Sequence, residues 1–290
     1  MVACPPNTNK PIIVIIPGAF HRPSHYAPII QPLQSLGYRV LSIPLVVSGD
    51  SEADLSPTST PADDAAALQS HLLPLLDAGP PPNQAVLVAH SYGSNVATAC
   101  IRNQSVPERA ARNLRGGIIG VIWIAGFAFP ARGKNILGGD ERDLPLREHR
   151  VLHGSGLVSL TEGAKCQFYN DLMDQSSSSP GDDDGGGGSG SGNAIADEAF
   201  ASLCRFQSYR SMNTLPEFIE SEIDDKKVRK MYVLCERDRT VLPAVQERMA
   251  RVGGFGEVVR LDSGHAPFLS VPLEVVRVVD GFCRGLVGVE

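Results

Sequence analysis

Residues 85–94 read AVLVAHSYGS, and the fold of the whole chain turns on this stretch. Ala85 to Ala89 is a short, unbroken apolar run behind a Pro-rich turn at Pro80 to Pro82. Continuous rather than alternating apolarity fits a strand covered on both faces, the habit of parallel sheets. Next comes Ala89-His90-Ser91-Tyr92-Gly93, a small-x-Ser-x-Gly pattern with Ala89 in place of the usual first Gly. Between a buried strand and a helix this pattern makes a nucleophile elbow. The turn is sharp and crowded, needs small residues, and lifts a serine hydroxyl above the sheet edge. The pentapeptide alone is a weak signal; the strand before it and the helix after it give it weight.

Similar apolar runs recur on both sides. They are Ile12 to Ile16 (stopped by Pro17-Gly18), Tyr38 to Leu45, Ile118 to Ala125, Met231 to Cys235 and Glu257 to Leu261. Helical stretches alternate with them at Tyr26–Leu36, Pro61–Leu76, Asn95–Arg102, Pro243–Val252 and Pro272–Phe282. Thr60 suits an N-cap, with Pro61 at the first helical position and Asp63 and Asp64 favouring the positive helix end. Strand–helix alternation predicts an α/β fold with a mostly parallel sheet of about six strands, flanked by helices and joined by right-handed crossovers.

Residues 127–216 interrupt that rhythm and read as a helical cap insertion, with helix-like pieces at Glu162–Met173 and Ala194–Tyr209. Within them 176–193, SSSSPGDDDGGGGSGSGN, has no large apolar residue and reads as a flexible loop. The core then comprises 1–126 and 217–290.

The 290 residues are 42% hydrophobic and 20% charged, an ordinary globular composition. With 26 Lys+Arg against 32 Asp+Glu and no basic stripe, nothing points to nucleic acid. The longest uncharged apolar window, Gly116 to Ala131, spans 16 residues and is broken by Gly and Pro, which argues against a membrane span. The N-terminal MVACPPNTNK lacks the pattern of a secretory signal. The six cysteines, Cys4, Cys100, Cys166, Cys204, Cys235 and Cys283, form no CxxC and no Cys/His cluster. They read as small core residues of a cytoplasmic protein without a metal site. No cofactor is expected, the partner is a small-molecule substrate, and the oligomeric state is not readable.

A serine hydroxyl needs a base to become nucleophilic at neutral pH. Six of the seven histidines precede residue 160, and the seventh, His265, follows the last strand in DSGHAPF. A loop after a parallel strand opens on the same sheet edge as Ser91. The orienting acid should fall between them. Asp238, three residues past the Met231–Cys235 run, is preferred, with Glu236 the competitor. Two backbone N–H groups are needed for an oxyanion. Tyr92 supplies one and the Pro17–His21 turn the other, Ala19 before Phe20. His21, Ser24 and His25 are candidates for the pocket wall, with Phe20, Phe127, Phe129, Phe168, Tyr169 and Phe206 for its apolar part.

Together, IIVIIPGAFHRPSHYAPI, the AHSYGS elbow, FYNDL at 168–172, CERDRTVLPAVQERM and DSGHAPFLSVP resemble the α/β-hydrolase superfamily over nearly the whole chain. The likeness is to a group of small fungal and actinobacterial serine hydrolases, similar in turn to plant methylesterases and hydroxynitrile lyases. The resemblance implies Ser91, Asp238 and His265 as a triad and Ala19 and Tyr92 as oxyanion donors. Hydroxynitrile lyases of that type carry a Lys just after the base, where this chain has Ala266. Families that use an Asp nucleophile are disfavoured by Ser91.

The expected activity is hydrolysis of a carboxylic ester, thioester or lactone of a small apolar substrate through an acyl-enzyme on Ser91. Carbon–carbon bond cleavage or cyclisation of a polyketide-like metabolite on the same triad is the rival within enzymes. A non-catalytic small-molecule-binding protein on the same fold is the rival from another class.

Overall fold

The computed structural model of the protein describes residues 10–78, 83–141, 145–174 and 191–287. Its elements in chain order are β1 (Ile12–Ile16), α1 (Ala27–Ser35), β2 (Val40–Leu41), β3 (Ser48–Gly49), α2 (Pro61–Asp77), β4 (Gln84–His90), α3 (Gly93–Ile101), α4 (Val106–Ala110) and β5 (Gly117–Ile124). There follow β6 (Arg150–Leu152), β7 (Leu157–Leu160), α5 (Lys165–Phe168), α6 (Asn170–Asp174), α7 (Ser191–Ala201), β8 (Phe206–Ser208) and α8 (Tyr209–Met212). The chain continues with β9 (Arg229–Cys235), α9 (Pro243–Val252), β10 (Glu257–Leu261), α10 (Pro267–Ser270) and α11 (Pro272–Val287).

Six strands form one parallel sheet in the order β10-β9-β5-β4-β1-β2. The unbroken apolar runs are explained by its two covered faces. On β1, Ile13 and Ile15 enter one core with Ile29 and Leu33 of α1 and Val275, Val279 and Phe282 of α11. Ile12, Val14 and Ile16 enter the other, with Leu68 and Leu72 of α2, Val96 and Cys100 of α3 and Met249 of α9. Every residue of β1 is therefore buried, each aliphatic side chain contributing about 1.5–3 kcal/mol of transfer free energy. Thr60 caps α2 as its sequence suggests: Asp63 accepts hydrogen bonds from the Thr60 backbone N–H (2.7 Å) and hydroxyl (3.0 Å).

The chain leaves this sheet after β5 and returns at β9. Besides short helices, the intervening segment carries three strands that the sequence reading does not anticipate. They join an antiparallel sheet in the order β3-β8-β7-β6, so β3, from the first third of the chain, is part of it. The helix expected over Ala194–Tyr209 is corrected to α7, β8 and α8. Gln207 and Ser208 turn their backbones to β7 and β3, which breaks the helical run. The expected strand Tyr38–Leu45 pairs only at Val40 and Leu41. Most of the loop expected at 176–193 lies outside the described residues, as does Cys4; its last three residues open α7. Cys100, Cys204, Cys235 and Cys283 are buried free thiols, and Cys166 is exposed. Among the described residues no helix is long and apolar enough to cross a membrane.

α3 crosses the sheet edge so closely that a Cβ on Gly93 would lie 2.5 Å from the Ile16 carbonyl oxygen and 2.7 Å from that of Pro17. Both obstacles are backbone. Gly93→Ala is expected to lower stability by about 1–3 kcal/mol, read as a fall in the urea midpoint; an unchanged midpoint would show that α3 can shift freely.

Candidate active site

Ser91 directly follows β4 at a backbone φ of 50°, in the left-handed region that a non-glycine residue enters only when its surroundings hold it there. Several bonds do so. The Ser91 N–H donates to the Ile124 carbonyl of β5 (2.9 Å), and Ser94 Oγ donates to the Ser91 carbonyl (2.7 Å). Ser94 Oγ in turn accepts the Phe127 N–H (2.8 Å), which ties the elbow to the loop after β5.

His265 lies in the loop after β10, fully within the protein, with its Nδ1 2.7 Å from Asp238 Oδ2. Asp238, past the end of β9, is equally buried. Its Oδ1 accepts the N–H groups of Thr240 (2.7 Å) and Val241 (2.9 Å), and its Oδ2 also accepts from Gln246 Nε2 (3.1 Å). A carboxylate so surrounded holds the His265 ring with Nδ1 as donor, leaving Nε2 its lone pair. Of the two candidate acids, Asp238 is the one that touches His265. Glu236 is exposed, 3.6 Å from Arg260.

A second set of bonds lies behind these side chains. The Gly18 N–H donates to the Tyr26 hydroxyl oxygen (2.9 Å), and Tyr26 donates to His90 Nδ1 (2.8 Å). His90 Nε2–H donates to the His265 carbonyl (2.9 Å). These bonds assign the His90 tautomer, since a carbonyl can only accept. Gly18 is required here: a Cβ would sit 2.5 Å from His90 Nδ1. On its other side the His265 loop is held by Asp171, whose Oδ2 accepts the Gly264 N–H (2.6 Å).

In the turn after β1, the Phe20 N–H donates to Gln207 Oε1 (2.9 Å) and His21 Nδ1–H donates to the Ala19 carbonyl (2.9 Å). Among the described residues no acceptor meets the N–H of Ala19 or of Tyr92. The Tyr92 side chain is anchored beneath, its hydroxyl donating to Asp64 Oδ2 (2.8 Å), while Asp64 Oδ1 accepts the N–H of Val46 (2.7 Å). Burial pushes the Asp64 carboxyl up to about 6 and the Tyr92 phenol well above its ordinary value. Burial, followed by the charge of neighbouring imidazoles, holds His21 and His90 well below the usual histidine range.

A cavity of about 250 Å³ opens over Ser91. Ala19, Tyr92 and His265 line it beside Ser91, with Asn95 from α3 and Thr240 from the loop after β9. Its wider wall includes Phe127, Phe129, Asn135, Ile136, Leu146, Arg147, Arg150, Phe168, Tyr209, Met212 and Thr214, all from the segment between β5 and β9. The structure thus brings Ala19, Ser91, Tyr92, Phe127, Phe168 and His265 to one cavity. Phe20 and His21 are corrections: neither lines it. A φ of 63° turns Phe20 into the core, and His21 is buried between the Ala19 carbonyl and the Tyr169 hydroxyl (3.1 Å). His25 is likewise held away, against the Ala199 carbonyl (3.0 Å), and Tyr169 and Phe206 pack elsewhere. Among the described residues no group of three His, Cys, Asp or Glu side chains could hold a metal ion. Sequence reasoning did not find Tyr26, Asp64, Gln207 or Gln246. A polar side chain in an otherwise apolar helical face, as at Gln246, was the one signal available.

Residues 13–278 match the Alpha/beta hydrolase family. Over 273 residues the chain is 29% identical to "Alpha/beta hydrolase nvfD" of Aspergillus novofumigatus, covering 93% of this chain and 95% of that one. Among solved structures, polyneuridine aldehyde esterase superposes with a TM-score of 0.67 at 15% identity, covering 94% of this chain and 99% of the other. Tomato methylketone synthase I, complexed with 2-tridecanone, superposes with a TM-score of 0.64 at 15% identity, covering 96% and 99%.

Asp64 gives a pH signature. Its pKa is higher folded than unfolded, so the native state holds its proton longer, and this group lowers stability as pH rises from about 4 to about 6. Asp64→Asn lacks that slope. In urea melts at pH 4, 5, 6 and 7 the variant should gain on the wild-type protein as pH rises, whereas a constant gap would refute the assignment.

Proposed function

The chain belongs to the alpha/beta hydrolase family, and from that premise we propose that it is a serine hydrolase acting on a carboxylic ester, thioester or lactone of a small apolar substrate. The observation that carries this reading is the cavity shared by Ser91 and His265, with the His265 ring fixed by a buried Asp238 at 2.7 Å. His265 Nε2 takes the proton of Ser91 Oγ as that oxygen attacks the carbonyl carbon, and Asp238 stabilises the resulting imidazolium. The carbonyl π-bond opens to an oxyanion that accepts from the N–H groups of Ala19 and Tyr92. Phe20 is displaced from that role because its N–H is already engaged by Gln207. Collapse of the tetrahedral intermediate expels the leaving group, which takes the proton from His265. Water then repeats the sequence on the acyl-Ser91 ester and releases the acid.

The 127–216 segment serves in this reading as a cap, since most of the cavity wall comes from it. Phe127 and Phe168 offer the acyl or alcohol part of the substrate an apolar surface.

A fluorophosphonate should label the folded protein at Ser91, read by peptide mapping; absence of an adduct there would sink the proposal. Ser91→Ala should lower ester turnover by about 10⁴-fold or more. Asp238→Asn should cost decades of kcat, while Glu236→Gln, on the surface beside Arg260, should leave the rate within about twofold. A larger loss from Glu236→Gln than from Asp238→Asn would reverse their assignment, and equal losses would refute it.

A further inference from the structure

Beside apolar, amide, hydroxyl and imidazole groups, the cavity lining holds two fully charged side chains, Arg147 and Arg150. Arg150 begins β6 and is half-buried; Arg147 stands three residues before it at the rim, exposed. Among the described residues each guanidinium makes one backbone hydrogen bond. Arg147 Nη1 donates to the Thr240 carbonyl (2.8 Å) and Arg150 Nη1 to the Glu148 carbonyl (3.3 Å). Among the described residues neither has a carboxylate oxygen within ion-pair distance, whereas Arg109, Arg132, Arg229 and Arg260 each reach one at 2.6–2.8 Å. Asp238 favours the charge on Arg147, but its carboxylate already serves His265, Gln246 and two backbone N–H groups.

Two like charges at one cavity, with no ion-pair partner among the described residues, destabilise each other. Burial, and then the neighbouring charge of Arg147, lower Arg150 to about 10. A guanidinium presents five N–H donors in a planar fork, and a single carbonyl leaves most of them for an anion. A carboxylate arriving with the substrate would neutralise the pair and complete its hydrogen bonding.

We propose that Arg147 and Arg150 form the anion-recognising part of the cavity, so that the substrate is an acidic ester: an acyl or alcohol chain with a free carboxylate at its far end. The inference rests on the acyl-transfer reading of Ser91, and its test separates the two.

The first measurement is kcat/KM for mono-4-nitrophenyl esters of adipate, pimelate and suberate, each against its methyl-capped neutral counterpart. The wild-type protein should favour the anionic member by about tenfold or more at the best chain length, as expected for a charge-assisted hydrogen bond. Arg150→Gln and Arg147→Gln should each lower that ratio, the double variant should bring it to about one, and Arg150→Lys should retain part of it. A wild-type ratio of one at every length, or a ratio that survives the double substitution, overturns the proposal. The second measurement needs no turnover: calorimetric binding of monomethyl suberate against dimethyl suberate to Ser91→Ala. Tighter binding of the anion, lost in the double arginine variant, supports the site even if no ester is hydrolysed, in which case the Ser91 reading alone fails. Equal binding of the two ligands counts against the site.

Discussion

Everything at the candidate site leans on one buried hydrogen-bonded path, from the Gly18 N–H through Tyr26 and His90 to the carbonyl of His265. It joins the loop after β1, the last residue of β4 and the loop after β10, which the parallel sheet delivers to one edge but does not itself fix in place. His90 is the central link. It precedes Ser91 in the chain, its ring leaves Gly18 no room for a side chain, and both ring nitrogens are engaged. Donors and acceptors placed in this way need no rearrangement when charge develops nearby, which is what makes a dry, preorganised site effective.

The insertion is tied to that frame at Gln207. Its side-chain oxygen accepts the Phe20 N–H across 187 residues of sequence and the Ser48 hydroxyl as well, while its Nε2 donates to Ser211. Through the pairing of β8 with β3, the cavity wall and the turn carrying Ala19 are held by common contacts. A displacement of the insertion would be felt at the Ala19–Phe20 peptide, not only in the width of the cavity.

How much of this was legible in the sequence depended on the range of the forces involved. β1, β4, β5 and β9 are runs buried almost throughout on both faces, so composition alone finds them, while β10, at the sheet edge with only Leu261 buried, is betrayed by its β-branched valines. Ser91, Asp238 and His265 were legible because each follows such a run. The antiparallel sheet was not, because strands of two to four residues such as Ser48–Gly49 carry no periodicity and exist only through their partners. Phe20 and His21 were assigned to the cavity from their place in the turn, and a single positive φ reversed that outcome. Tyr26 and Gln207 are ordinary polar residues until their partners, 8 and 187 positions away, are known. Arg147 and Arg150 gave no signal in a chain with many arginines.

The crowding of imidazoles behind the turn after β1 ties the stability of the protein to pH. His21 and His90, with ring centroids 5.2 Å apart, are pushed toward the neutral form first by burial and then by neighbouring imidazoles, His25 for His21 and His265 for His90. Both have folded pKa values well below the unfolded value of about 6.5. The stability they confer is complete above that pH and drains away as pH falls below it, because the unfolded chain takes up protons that the folded chain refuses. Acid therefore loosens the packing behind Ser91 through groups that are themselves far from solvent, so its first effect there is on the fold.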